Sequence, residues 1–311
     1  MECVNDDYVR GCAMGKIAVV VVHGIGPGTG KARYEFSKSL KKNVKRILAD
    51  GEDLVWEEAN WEELNDNIDV IIGRVLKGLC DRYIDATKKA IVRQEMQETV
   101  NRRKAFKCCI IRLAATFCSW LCKLGLKIKL MALESADKYL PGIVDAAIDL
   151  PLYMQEPKGD EIRRVVREKI KCVMESADVD KVVVVGHSLG SVIAFDVVVD
   201  ELAKNGGKRL AALVTMGSPL GWVAEIRRAV SKGQKAMPCL GAFPWVNFWD
   251  PADPVPEHKE LDDKVFPGVR NVKVESGQDI LAHCAYWHSE QIARRISRML
   301  KCDFSLDQEQ E

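Results

Sequence analysis

Apolar residues fall into short unbroken runs separated by longer stretches of helical period. The runs are IAVVVV (17–22), DLVWEE (53–58), KVVVVG (181–186), LAALVTMG (210–217), WVNFWD (245–250) and NVKVES (271–276). Runs that are apolar throughout, and not on alternate positions only, suit strands covered by helices on both faces of a parallel sheet. Residues 31–49, 160–176, 190–204 and 284–301 carry the period of helices. Strand followed by helix, repeated, predicts a doubly wound, mostly parallel α/β sheet with helices on both faces. Ligands of such sheets gather at the carboxyl ends of the strands.

Residues 61–156 break the alternation. They contain no convincing strand and read as several helices inserted after the second strand. The pattern therefore predicts a core from 14–60 and 157–302, a helical cap over 61–156, and terminal extensions at 1–13 and 303–311. Met14, just ahead of GKIAVVVV, reads equally well as a start. Within the cap, 101–133 hold eight basic residues (Arg102, Arg103, Lys104, Lys107, Arg112, Lys123, Lys127, Lys129) and no acidic one. Arg112, Thr116, Ser119, Lys123 and Lys127 recur at helical spacing beside a wide apolar face of Phe106, Ile110, Leu113, Phe117, Trp120, Leu121 and Leu124. Two readings fit: a cap packed on the body with a solvated basic edge, or a lid in peripheral contact with a membrane or lipid surface. A spanning helix does not fit, because the uncharged run 113–122 is half the roughly 20 residues required.

Composition narrows the class. A chain of 311 residues, 47% hydrophobic, can bury a large core as one sizeable domain. The net charge of +1 gives no electrostatic case for nucleic acid. Eleven cysteines, an odd number, sit mostly in apolar or helical segments, and no secretory leader pattern opens the chain. Reduced thiols in a cytoplasmic setting are the simplest expectation. Cys108, Cys109, Cys118 and Cys122 lack the C-x2-C spacing of zinc ligands, so neither a metal nor another cofactor is expected.

Candidate chemistry begins at IAVVVVHGIGPGTGK (17–31). A phosphate loop ending at Gly30-Lys31 would require Gly at Ile25 and a hydroxyl at Ala32. The dinucleotide pattern starting at Gly24 and Gly26 would require Gly at Thr29. Both fail. In KVVVVGHSLGSVIAF, by contrast, G-x-S-x-G (Gly186, Ser188, Gly190) stands directly between a strand and a helix, the setting of a nucleophile elbow. So sharp a turn strains the nucleophile and leaves no room for side chains two positions either side, hence glycine at 186 and 190. It also presents the Ser188 hydroxyl at a helix N-terminus, where developing negative charge is favoured.

On these residues the sequence resembles the α/β-hydrolase superfamily, in particular its lipase- and esterase-like serine hydrolases, over about 17–58 and 160–301. The resemblance implies an α/β-hydrolase fold and the order nucleophile, acid, histidine. WVNFWDPADPV offers Asp250 and Asp253, and the D-P-V setting of Asp253 looks like the family's acid position. Either is alternatively a turn aspartate. His283, in SGQDILAHCAYWH, has an A-H-x-x-Y-W context similar to the family's histidine loop, between the last strand and the final helix. His288 lies further into that helical pattern and His258 precedes the last strand. By the same resemblance the backbone N–H groups of Ile25 and Leu189 form the oxyanion hole, His23 braces the loop that also holds Gly24 and Gly26, and Gly217, Ser218 and Pro219 are structural.

The expected function is a cofactor-independent serine hydrolase that cleaves carboxylic esters, of lipid or other acyl type, through an acyl-enzyme on Ser188. A thioesterase, amidase or acyltransferase would use the same three residues. A non-catalytic, membrane-associated scaffold on the same fold is the alternative of a different class.

Overall fold

The computed structural model describes residues 16–24, 31–48, 53–61, 150, 153–154, 157–205, 209–230, 237–253, 255–275 and 280–301. Among the described residues six strands are seen: β1 (Lys16–Val22), β2 (Leu54–Ala59), β3 (Val179–His187), β4 (Leu210–Met216), β5 (Trp245–Trp249) and β6 (Val269–Lys273). Helices α1 (Lys31–Leu48), α2 (Lys158–Glu175), α3 (Leu189–Asn205) and α4 (Leu220–Val230) alternate with them, and α5 (Ile280–Ala285), a 3-10 turn (Tyr286–His288) and α6 (Glu290–Leu300) follow. The strands form one sheet in the order β2-β1-β3-β4-β5-β6, with each adjacent pair parallel.

Side chains of a strand point alternately to the two faces, so an unbroken apolar run feeds two cores. Ala18, Val20, Val22, Val182 and Val184 pack with α2, α3 and α4. Val19, Val21, Val183 and Val185 pack with α1 and α6. All nine of these residues are fully buried. Each such valine stabilises the fold by roughly 1.5–3 kcal/mol relative to leaving it in water.

The strand order reverses between β1 and β3. From β1 the chain moves outward to β2, and from β3 it moves the other way to β4. The loops leaving these two neighbours therefore part, opening a crevice at the carboxyl edge. His23-Gly24 leaves β1 at this point and Ser188 leaves β3.

Three details differ from the pattern along the chain. Helix α4 escapes the pattern, because Leu220–Val230 follows β4 after a turn of only three residues. β6 starts two residues and ends three residues earlier than 271–276. The last helix is divided, because Ser289 leaves the helical conformation and its hydroxyl accepts from the Ile292 N–H at 3.4 Å, capping α6 as a new start.

Of the 61–156 insertion, the described residues are Trp61, Leu150, Tyr153 and Met154, and all four pack on the sheet's α2–α4 side. The remainder lies outside the described residues, including the basic stripe of 101–133 and the cysteines weighed as zinc ligands. Among the described residues, no helix is long and apolar enough to cross a membrane. The fully buried Tyr153 ties the chain leaving the insertion to the core. Its hydroxyl donates to Asp196 of α3 at 2.6 Å, and Arg227 of α4 grips the same carboxylate with two N–H groups at 3.0 and 2.6 Å.

Removing one partner of a buried ion pair strands the other, at a cost of about 3–5 kcal/mol. The Arg227 side chain is 25% exposed, so Arg227→Met should cost about 2 kcal/mol in urea unfolding. Arg164→Ala, which breaks an ion pair whose partners are 58% and 61% exposed, should cost less than about 0.5 kcal/mol.

Candidate active site

The β3–α3 turn is built around backbone strain. Ser188 has φ +54°, a left-handed conformation that costs a non-glycine residue on the order of 1–3 kcal/mol. The surroundings leave no alternative. Ser188 donates its N–H to Met216 O at 3.0 Å, and its own carbonyl accepts from the Ser191 N–H at 2.9 Å and the Ser191 hydroxyl at 2.5 Å. A Cβ on Gly186 would stand 2.6 Å from Ser191 Cα, and one on Gly190 would collide with Val22 O and the His23 carbonyl group. Gly24 is under the same constraint, since its Cβ would stand 2.5 Å from Ser188 Cβ. The loops after β1 and β3 thus touch backbone to backbone. Leu189 opens α3, so its N–H is among those without an intrahelical acceptor. Ile25 and Gly26 lie outside the described residues.

His283 and Asp253 come together across 30 residues of chain. His283 Nδ1 lies 2.9 and 3.1 Å from the two Asp253 carboxylate oxygens, with His283 5% and Asp253 0% exposed. Asp253 also accepts from the Tyr286 hydroxyl at 2.8 Å and the Val255 N–H at 2.9 Å. Asp250 faces elsewhere. Its carboxylate accepts from the Ala252 N–H at 2.8 Å, the hydrogen bond of an aspartate turn, while its own N–H donates to Tyr286 Oη at 2.9 Å. His283 does not sit in a loop as the sequence suggested, but inside the short helix α5. His258 turns its Nδ1 to Pro251 O at 2.8 Å, and His288 is exposed, its carbonyl accepting from Asn43 at 3.4 Å.

Ser188 shares this corner with the pair. His187, its predecessor, lies with its ring centroid 4.7 Å from that of His283. Met216, which accepts from Ser188, is followed by Gly217, at φ +53°. A Cβ there would stand 2.8 Å from Asp253 Oδ2 and 3.0 Å from His283 Nδ1. Gly217 is therefore the floor under the pair, a role that the sequence hid among ordinary turn glycines. The sequence hides the part of Tyr286 as well, although it stands in the A-H-x-x-Y-W segment. Burial, then the adjacent Asp253 carboxylate, push its hydroxyl far above the usual phenol range, so it stays a donor. Ser218 is occupied structurally, its hydroxyl hydrogen-bonded to that of Ser191 at 2.7 Å and accepting from the Leu220 N–H at 3.3 Å.

A polar ladder across the sheet holds the acid loop. Thr215, Asn247 and Asn271 stand in register on β4, β5 and β6. Thr215 donates to Asn247 at 2.8 Å, Asn247 to Asn271 at 2.9 Å, and Asn271 to Leu261 O at 2.8 Å. The last bond ties down the segment that follows Asp253.

His23 is held through its main chain and its ring face. Its carbonyl accepts from the Trp61 indole at 3.0 Å, its ring packs 5.2 Å from Trp287, and Nε2 stands 3.6 Å from Glu58 Oε2, beyond hydrogen-bond distance. Burial raises the Glu58 carboxyl, but His23 and the Ser37 hydroxyl bonded to it outweigh that and hold it below the usual range.

The class 3 lipase family matches residues 112–259, just under half of the chain. That span includes Ser188 and Asp253 and rests on the same parallel sheet. The chain belongs to the lipase-like α/β-hydrolase superfamily. A comparison with curated proteins finds no match. Membership supports a lipase- or esterase-like activity for this hydrolase.

Two outcomes follow from the geometry of this α/β-hydrolase corner. Gly217→Ala should cost about 1–3 kcal/mol in urea unfolding, since its side chain would overlap Asp253 and His283. Cys284, beside the imidazole, should not behave as a rival nucleophile. Burial and then Asp253 push its thiol up to about 11, so at pH 8 peptide mapping should find it alkylated by iodoacetamide far more slowly than the exposed Cys172 and Cys239.

Proposed function

We propose that this chain is a cofactor-independent serine hydrolase of carboxylic esters, with Ser188, Asp253 and His283 as its catalytic triad and lipid or long-chain acyl esters as its substrates. The observation that carries this reading is the strained Ser188 at the same sheet corner as the buried Asp253–His283 pair. Because Nδ1 of His283 faces a carboxylate, that nitrogen carries the proton and Nε2 keeps its lone pair.

The reaction then runs in two halves. Ser188 Oγ attacks the ester carbonyl as His283 Nε2 takes its proton, and Asp253 stabilises the imidazolium. The oxyanion is met by the N–H groups of Leu189 and Ile25, each donor worth on the order of 3 kcal/mol in the transition state. Glycines 24 and 26 let the loop approach. Imidazolium protonates the departing alcohol, leaving an acyl-enzyme on Ser188. Water, deprotonated by His283, attacks the acyl carbon, and the proton returns to Ser188 as the acid leaves.

In this reading residues 61–156 form a cap over the core of 14–60 and 157–302. The basic, apolar segment 101–133 touches lipid surfaces from a cytoplasmic setting. The class 3 lipase match favours esters over thioesters or amides.

The test is hydrolysis of p-nitrophenyl esters of two to sixteen carbons together with fluorophosphonate labelling. Ser188→Ala and His283→Ala should abolish both, and Asp253→Asn should lower kcat by about 10³–10⁴-fold. Asp250→Asn keeps the turn acceptor and should remain close to wild type. A folded wild type that neither turns over an ester nor takes the label would favour a non-catalytic scaffold.

A further inference from the structure

The alternation of β3 does not stop at its last valine. Val183 and Val185 belong to the layer beneath α1 and α6, and His187, two residues on, continues to that face. Its ring is delivered beneath the segment that carries the base. Only 7% exposed, it lies 5.1 Å from the Trp287 ring and 6.0 Å from Tyr286, as well as against His283. Its Nε2 stands 2.7 Å from the main-chain oxygen of His283. A carbonyl can only accept, so this nitrogen is the donor.

The carbonyl concerned needs a partner. It is among the last four of α5, whose oxygens have no acceptor role within the helix. Six residues are also too few to hold a helix in place by themselves. The position of His283 is therefore set by tertiary contacts, with Asp253 on the ring and His187 on the main chain.

We propose that His187 is a positioning residue for the base: its Nε2–H fixes the main chain of His283, and its ring backs the imidazole that must serve Ser188. This rests on the reading of Ser188 as nucleophile and His283 as base. The charge state of His187 suits the role. Burial first, and then neighbouring His283, hold it well below the usual imidazole range. Among the described residues, the titratable groups facing it are His283 from α5, Tyr286 from the 3-10 turn and His23 from the loop after β1, with no carboxylate among them. A neutral ring places no positive charge beside the imidazolium that forms on His283 during turnover.

The test compares His187→Phe, which keeps an aromatic ring but loses the donor, with His187→Gln, whose amide nitrogen replaces it. With p-nitrophenyl butyrate, Phe should lower kcat by about tenfold or more, a part of the 10²–10⁴-fold that a positioned base contributes, with KM changed less than about twofold. Gln should restore most of the loss. Unchanged kcat in a folded Phe variant, or a Gln variant as slow as Phe, would overturn the proposal. Should Phe not fold, ¹⁵N-imidazole resonances of the wild type decide. His187 should be a neutral Nε2–H tautomer between about pH 5.5 and 8, and a ring protonated at Nδ1 alone, or one that titrates in that range, would also overturn it. An inactive, unlabelled wild type is a failure of the hydrolase reading. An active wild type with an indifferent Phe variant is a failure of this one alone.

Discussion

Two backbones cannot share one space, and the carboxyl edge of this sheet depends on how closely two of them approach. The loop leaving β1 and the turn leaving β3 meet at the point where strand order reverses; a Cβ on Gly24 or Gly190 would strike the other segment, and one on Gly186 would strike the turn's own Gly190 and Ser191. The contact forces Ser188 into the left-handed region, where the hydrogen bonds of its N–H to β4 and of its carbonyl to Ser191 hold it. Loosening the contact would let the turn relax toward ordinary dihedrals and carry the hydroxyl away from the edge. The same approach presses the His23 loop against the elbow, so one steric constraint sets both halves of the proposed site.

The second half of the corner is held by a different kind of force. Asp253 comes from a loop and His283 from a helix of only six residues, and hydrogen bonds fix them where packing alone would not. The asparagine ladder anchors the acid loop to β5 and β6 through Leu261, and Tyr286 spans from the Asp250 N–H to the Asp253 carboxylate. Directional bonds of this sort suit a site, because they set an orientation that apolar contact leaves free.

Much of this was legible along the chain, for identifiable reasons. The unbroken valine runs could only be buried strands, and glycines flanking Ser188 between a strand and a helix have a steric meaning that needs no coordinates. What stayed hidden depended on distant partners. Gly217 looks like any turn glycine until Asp253 and His283 are seen against it. The D-P-V setting points to Asp253 by resemblance, but the residues alone leave Asp250 open, because which carboxylate faces the imidazole depends on distant partners. His283 reads as a loop residue because α5 is too short to show a period. The break before α6 was readable in principle, since Ser289 followed by Glu290 is a helix start, but the apolar spacing runs through it and masks the cap.

The arrangement also bears on whether such a corner would serve a merely structural protein. A strained serine, a buried carboxylate beside a buried imidazole, and two further buried histidines all oppose stability, or at best break even. Substituting apolar residues of similar volume would commonly stabilise a fold at such positions. A scaffold gives no reason for these groups to meet at one edge, whereas acyl transfer requires a held hydroxyl, a proton acceptor and a charge to steady it within reach of each other. The local cost is therefore itself an argument for chemistry. It falls at the crevice where a doubly wound sheet can open to a ligand, while the two valine-rich cores on either side supply the stability that this corner gives up.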